Sequence, residues 1–107
     1  MWQIVANLNE LKEKKMLRIE VETSAILLTY HNDHVFAMSD KCPHMGASLA
    51  KGTLANGIVT CASHHAQIDV TNGKLVSNPK ILFMKMPSKN AKTYQVKVEE
   101  NNILIEL

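Results

Sequence analysis

The sequence predicts an all-β fold, an antiparallel β-sandwich or small barrel. Apolar and polar residues alternate with a period of two near both ends of the chain, which is typical of strands with one buried face. Asn-containing dipeptides separate several of these runs at short intervals, as tight turns do. The length of 107 residues is that of one core, so we expect a single domain over residues 1–107.

A local sequence pattern predicts each helix, strand and turn. One helical turn is predicted from Asn7 to Leu11, because the Asn7 side chain can cap it and Glu10 follows three residues later. Strands are predicted where apolar residues recur or alternate, at residues 17–21, 27–30, 35–37, 94–98 and 103–107. Two-residue turns are predicted where Asn and Gly tolerate a positive φ, at Asn32-Asp33, Asn72-Gly73 and Asn101-Asn102.

Composition argues against several classes of protein. The chain carries 12 basic and 10 acidic residues, a formal charge of +2, and its bases are not interleaved with aromatic residues, so no nucleic-acid partner is expected. No apolar run is longer than the four residues at 25–28, far fewer than the roughly 20 of a membrane span. No secretory signal is recognisable at the N-terminus. We therefore expect a cytoplasmic monomer without a membrane partner.

Two segments between residues 40 and 79 interrupt the strand pattern and carry cysteine and histidine. The first contains Cys42 and His44, and the second, after sixteen intervening residues, contains Cys61 and His64. Thiolate and imidazole together suit zinc or an iron–sulfur cluster and do not suit magnesium or calcium. We predict that these four residues bind a metal centre held by two loops.

The spacing favours iron and sulfur over zinc. Zinc modules usually pair cysteine with cysteine and histidine with histidine, whereas here each segment supplies one ligand of each type. Two facing loops would give both cysteines to one iron and both histidines to the other, as in a Rieske [2Fe–2S] cluster. A structural zinc site remains the alternative. His31 and His34 form a further His-x-x-His pair, which we interpret as surface residues, and Met38 is expected in the core.

With these motifs the sequence resembles the Rieske ferredoxins of aromatic-ring dioxygenase systems, over at least residues 40–79. Besides the four ligands, several positions match residues common in that family: Pro43, Gly46, Leu49, Gly52, Ala66, Asp69 and Gly73. The resemblance implies a Rieske iron–sulfur domain with a cluster-binding subdomain at about residues 40–80. It further implies a three-stranded sheet that carries the cluster, and a third loop in which Pro79 closes over it.

The resemblance also implies the function. Proteins of this family carry single electrons from a flavoprotein reductase to a terminal oxygenase and are not catalysts by themselves. A stably bound small subunit of a redox enzyme, such as assimilatory nitrite reductase, is the alternative. Residues 70–107 hold six lysines against three glutamates, so this segment is suited to docking an acidic partner, with Lys74 and Lys80 flanking the proline loop.

Two departures from related sequences bear on the chemistry. His65 stands where the family commonly has glycine, a residue that often marks a positive φ. Ala66 and Ile68 stand where the Rieske subunits of cytochrome bc complexes have a serine and a tyrosine that donate hydrogen bonds to the cluster. Without these donors we expect a reduction potential near the low end of the Rieske range, about −150 mV.

Overall fold

The structure of the protein is a computed structural model, which describes residues 1–42, 47–62, 65–77, 80–81, 84–85 and 90–107. Strands predominate in it, as predicted. The elements in chain order are β1 (Trp2–Asn7), α1 (Leu8–Lys14), β2 (Met16–Val21), β3 (Ser24–His31), β4 (His34–Ser39), a 3-10 turn (Leu49–Lys51), β5 (Thr53–Ala55), β6 (Ile58–Thr60), β7 (Gln67–Asp69), β8 (Leu75–Ser77), β9 (Lys80–Ile81), β10 (Met84–Lys85), β11 (Thr93–Tyr94), β12 (Val96–Glu99) and β13 (Asn102–Glu106).

Two antiparallel sheets form the base of the molecule. One has the strand order β11-β4-β3-β2 and the other the order β1-β13-β12. Their facing side chains form an apolar core that includes Ile26, Leu28, Ile103 and Ile105, together with Leu11 from α1, and all five are fully buried. This packing of two sheets confirms the predicted sandwich.

A second lobe is built on the sheet β5-β6-β7-β8, all of whose neighbours are antiparallel. Its core is continuous with the base, because Leu27 of β3 and Met38 of β4 pack with Val59 and Ile68 of this lobe. The resemblance implied a three-stranded sheet here. The structure has four strands, since the short β8 adds to β7 at the edge.

The central strand β3 is buried on both faces. Leu27 faces the core of the second lobe, whereas Ile26 and Leu28 face the core of the base. This arrangement explains the continuous apolar run at residues 25–28, because a strand between two cores has no solvent face that would call for polar residues. None of the helices among the described residues has the length and apolar character needed to span a bilayer.

The turns agree with the prediction at one hairpin and differ at two. Asn32 and Asp33 both have a positive φ and join β3 to β4. At the last hairpin the turn residues are Glu100 and Asn101 and not Asn101-Asn102, because Asn102 is engaged in strand pairing. Gly73 has a φ of +74° but lies within the connection 70–74, which is longer than a two-residue turn.

The helix is longer than the single predicted turn. Asn7 caps it as expected, since its side chain accepts hydrogen bonds from the backbone N–H of Asn9 and Glu10. The helix continues to Lys14 and ends at Lys15, which has a φ of +70° and donates its N–H to the Leu11 carbonyl. The fully buried Leu11 ties this segment to the base core, and such tertiary packing stabilises short helices more than propensity does.

Candidate metal centre

Cys42 opens a hydrogen-bonded loop three residues after the end of β4. We call residues 42–47 loop 1. The side chain of Cys42 is 2% exposed, and its backbone N–H donates to the carbonyl of Ala47 at 2.7 Å. Lys41 and Ser48 form an isolated antiparallel bridge immediately outside this bond. The two ends of loop 1 are thus held together at the first cysteine.

Cys61 opens a second loop of the same construction. We call residues 61–66 loop 2; it connects β6 to β7. Cys61 is 1% exposed and donates its N–H to the carbonyl of Ala66 at 2.8 Å, while its own carbonyl accepts from the N–H of His65 at 3.0 Å. In both loops a cysteine therefore bonds to the alanine five residues later. The sequence motifs do not reveal this correspondence.

The structure brings the two cysteines into one apolar core. Both pack in the cluster of buried residues that contains Leu27, Val59 and Ile68, and they are not joined in a disulfide. The other two predicted ligands, His44 and His64, lie outside the described residues. Of the four predicted ligands, the described residues therefore include only the two cysteines.

The two ends of a third segment are joined to each other near Asp69, at the end of β7 that is remote from loop 2. The N–H of Leu75 donates to the side-chain oxygen of Asn90 at 2.9 Å, and the N–H of Ala91 donates to the carbonyl of Gly73 at 2.7 Å. A side chain at Gly73 would lie 2.6 Å from the Ala91 oxygen, so this close approach requires glycine. These contacts join the two ends of the segment that contains Pro79, which is itself outside the described residues.

Asp40 is a site residue that the sequence motifs do not reveal. It is 2% exposed, and its carboxylate accepts hydrogen bonds from the Ser48 hydroxyl, the Ala50 N–H at 2.8 Å and Arg18 Nε at 3.1 Å. The available signal is an acidic residue between an apolar strand and the first cysteine. That signal is weak, because the residues that make it important are 8, 10 and 22 positions away.

His31 and His34 end the hairpin of β3 and β4, where they are directly paired. A Cβ at Gly57 would lie 2.8 Å from the Nε2 atom of His31, so the imidazole packs against the β5–β6 turn. Among the described residues, no group of three or more His, Cys, Asp or Glu side chains is placed to bind a metal ion. The interpretation of this pair as surface residues fits its half-exposed and exposed positions.

The residues present fit an iron–sulfur cofactor. Two buried cysteines in an apolar, water-excluding core supply soft ligands, and each opens a loop that contains a histidine in sequence. Ala66 and Ile68 are fully buried, and their side chains have no hydrogen to donate to a cluster sulfur. The thiol pair and its surroundings therefore match the chemistry expected from the motifs.

A family model described as the Rieske [2Fe-2S] domain matches residues 1–95. The chain belongs to this family. Its cofactor is therefore a Rieske-type [2Fe–2S] cluster, which confirms the resemblance and the cofactor expected from the sequence and leaves no support for a structural zinc site. The Rieske fold of the chain is likewise confirmed.

The chain is similar to nearly the whole of one kind of protein and to a small part of another. The ferredoxin component of the naphthalene 1,2-dioxygenase system from Pseudomonas putida is 27% identical over 106 residues, which are 99% of this chain and 95% of that protein. Apoptosis-inducing factor 3 from Mus musculus is 31% identical over 101 residues, which are 94% of this chain. The chain spans only 16% of the length of that mouse protein.

Solved structures share the architecture. The ferredoxin of carbazole 1,9a-dioxygenase from Nocardioides aromaticivorans superposes with a TM-score of 0.81, at 24% identity, over 98% of this chain and 96% of that one. At this identity the likeness shows the Rieske fold alone. A domain similar to this chain makes up nearly all of the ferredoxin. In the mouse protein the matching region is a small part of a much longer chain.

Proposed function

We propose that this Rieske protein is a ferredoxin, which carries one electron at a time from a reductase to an oxygenase or a similar terminal enzyme. The ligands in this proposal are Cys42 and Cys61 on one iron, and His44 and His64 on the other. The domain comprises residues 1–107, with the cluster-binding subdomain at about residues 40–80. A Rieske cluster, when bound, supplies reversible one-electron transfer.

The matched closure of loops 1 and 2 is the observation that carries this proposal. Each loop begins with a buried cysteine whose N–H bonds to the alanine five residues on. Cys42 and Cys61 are thus fixed by the backbone while the apolar core around them excludes water. A ligand pair held in this way changes little in position when the charge of the site changes, which favours fast electron transfer over chemistry on a substrate.

Support for a carrier rather than a catalyst comes from the relatives. The naphthalene dioxygenase ferredoxin component is matched over 95% of its length, and its description places it in an oxygenase system. We accordingly propose that this chain is not itself an enzyme. Its proposed partners are a flavoprotein or other reductase and a terminal oxygenase component, and the proposed setting is the cytoplasm, where the protein acts as a monomer.

The experiment combines composition with turnover. Protein purified without oxygen should contain iron and acid-labile sulfide in equal amounts, two of each per chain. It should take up one electron from a reduced flavoprotein reductase and pass it to a purified ring-hydroxylating oxygenase. Zinc in place of iron would contradict the proposal. Iron–sulfur protein that elutes from native extract only with a larger enzyme would favour the alternative of a bound subunit.

Single substitutions test the four ligands. Cys42→Ala, Cys61→Ala, His44→Ala and His64→Ala should each lose the visible absorption of the cluster. His31→Ala and His34→Ala are matched controls, because they remove histidines that we place at the surface, and both should retain it. A ligand variant with a full complement of iron, sulfide and unchanged absorption would contradict the assignment of that residue.

A further inference from the structure

Among the described residues, Asp40 is the only charged one that is buried, and it is 2% exposed. Every polar group of this residue has a partner. Its N–H donates to the Ala25 carbonyl at 2.9 Å, its carbonyl accepts from the Leu49 N–H at 2.7 Å, and its carboxylate accepts from three donors. An ionised carboxylate accepts hydrogen bonds and donates none, so these three donors match its needs.

The carboxylate joins the two ends of loop 1. Asp40 precedes Cys42 by two residues, and two of its donors, the Ser48 hydroxyl and the Ala50 N–H, follow the end of the loop. A buried carboxylate is costly unless it is fully hydrogen-bonded, so these donors and the charge must stay together. The orientation of the first cysteine is therefore coupled to the position of this carboxylate.

The charge of Asp40 is only partly compensated. Its cationic partner is Arg18 on β2, whose Nη1 atom also contacts Glu20 Oε1 at 2.8 Å. The Arg18 side chain is 42% exposed, so water screens the cation more than it screens the carboxylate. Arg18, Glu20 and Asp40 together sum to a charge of −1, and of these three charges only that of Asp40 is buried; the neighbouring Lys41 is exposed to water.

We propose that Asp40 is a positioning residue that fixes loop 1 and, through its buried negative charge, lowers the reduction potential of this Rieske protein. Reduction of a cluster bound by the two loops would make its charge more negative by one unit. The added negative charge is less stable next to a buried carboxylate, because a low-dielectric surrounding screens the repulsion poorly. Arg18 acts in the opposite sense, since it partly neutralises the carboxylate. This inference rests on the electron-carrier function proposed above.

Asp40→Asn is the first test, because it removes the charge and keeps the size of the side chain. The holoprotein is equilibrated with a redox dye, and the ratio of reduced to oxidised protein is read at fixed dye potential. We expect this ratio to rise about tenfold, a shift of about 59 mV for one electron. Asp33→Asn is the matched control. Asp33 lies at the other end of β4, about 20 Å away along the strand, and its substitution should leave the ratio unchanged.

Arg18→Gln separates the charge from the packing. Loss of the cation should move the ratio in the direction opposite to Asp40→Asn, whereas a loop that is merely loosened would move both variants in the same direction. An unchanged or lowered ratio in Asp40→Asn would overturn the proposal. If Asp40→Asn does not assemble its cluster, an unchanged or raised ratio in Arg18→Gln overturns it instead. Wild-type protein without iron and sulfide would contradict the proposed function itself, before any variant is made.

Discussion

The backbone of His65 lies in a region that most side chains avoid. Its φ is +61°, and its N–H closes loop 2 by donating to the Cys61 carbonyl at 3.0 Å. The left-handed conformation costs an L-residue roughly 1–2 kcal/mol, whereas glycine adopts it freely. The expectation of a positive φ, drawn from the glycine common at this place in related ferredoxins, is thus met, and the chain tolerates the strain next to a predicted ligand.

The strain at His65 predicts an order of stability among variants. His65→Gly should be more stable to unfolding than His65→Ala by about 1 kcal/mol, because only glycine relieves the left-handed backbone. Glu13, exposed on α1, provides the control: there the alanine variant should be the more stable one by about the same amount. The measurement is the thermal midpoint of each holoprotein. Equal midpoints for the two His65 variants would contradict the strain.

Site residues differ in how far the sequence reveals them. Cys42 and Cys61 follow from local motifs, because the type and spacing of ligands are properties of short segments. Asp40 does not, since its role depends on Arg18, which is 22 residues away in sequence and reaches it only when β2 and β4 flank β3. A carboxylate of this kind is recognised only once the sheet order is known.

The helix α1 depends on Asn7, the residue that caps its N-terminus. Asn7 Oδ1 accepts from the Asn9 N–H at 2.8 Å and from the Asn101 side chain at 3.2 Å, which connects the helix to the last hairpin. Asn7→Ala should lower the free energy of unfolding by about 1 kcal/mol, as loss of an N-cap does. Asn7→Asp should retain most of it. Chemical denaturation checks this, and the exposed Asn9→Ala should change little. Equal losses for Asn7→Ala and Asn9→Ala would show that the cap is unimportant.

The last residue of β7, Asp69, makes stability depend on pH through hydrogen bonds to the connection that follows it. Hydrogen bonds from the hydroxyl and the N–H of Thr71, at 2.6 and 2.9 Å, hold the pKa of Asp69 below its ordinary value of 3.8. A pKa that is lowered by folding contributes stability above the ordinary value, and this stability is lost as the pH falls through the lowered one.

Removing the Thr71 hydroxyl tests the link between this turn and pH. Thr71→Val should reduce the thermal midpoint at pH 7, and its difference from wild type should shrink as the pH falls below about 3.8. Midpoints measured from pH 7 to pH 3 show the trend. A difference that stays constant over this interval would mean that the lowered pKa of Asp69 does not depend on the Thr71 hydroxyl.

Turns were predictable only in part. Asn32-Asp33 was found because two clear strands flank it. Asn56-Gly57, with φ values of +52° and +77°, joins β5 to β6, and it was missed because each of those strands is only three residues long. The last hairpin was shifted by one residue, since two adjacent asparagines suit a turn equally well and the pairing of Asn102 with Asn7 decides the register.

The sheet β11-β4-β3-β2 lies at the centre of the molecule. One face of this sheet packs on the sheet β1-β13-β12 and the other on the lobe that holds both cysteines. Sequence periodicity predicted the all-β class, because alternation reflects a single buried face. It could not predict the second lobe in detail, where short strands and loops are set by contacts such as those between Gly73 and Ala91.

Exposed lysines suggest that electron transfer to an acidic partner depends on ionic strength. Lys74 and Lys92 are exposed, and Lys74 lies just before β8 in the lobe that holds the cysteines. If an acidic reductase or oxygenase docks there, the second-order rate of electron transfer should fall severalfold as ionic strength rises from about 0.01 to 0.15 M, since the Debye length shortens from about 30 to 8 Å. Lys74→Gln should weaken this dependence, and Lys14→Gln on α1 is the control. A rate independent of salt would argue against docking by this surface.

Nitrogen hyperfine spectroscopy of the reduced holoprotein tests the proposed coordination of one iron by the two histidines. We expect couplings from two histidine nitrogens bound to the cluster, together with an EPR signal whose average g is low, as for a Rieske centre. One coupling should disappear when either His44 or His64 is replaced by cysteine, a ligand that can keep the cluster assembled. A reduced cluster without directly bound nitrogen would contradict the assignment of His44 and His64 as ligands.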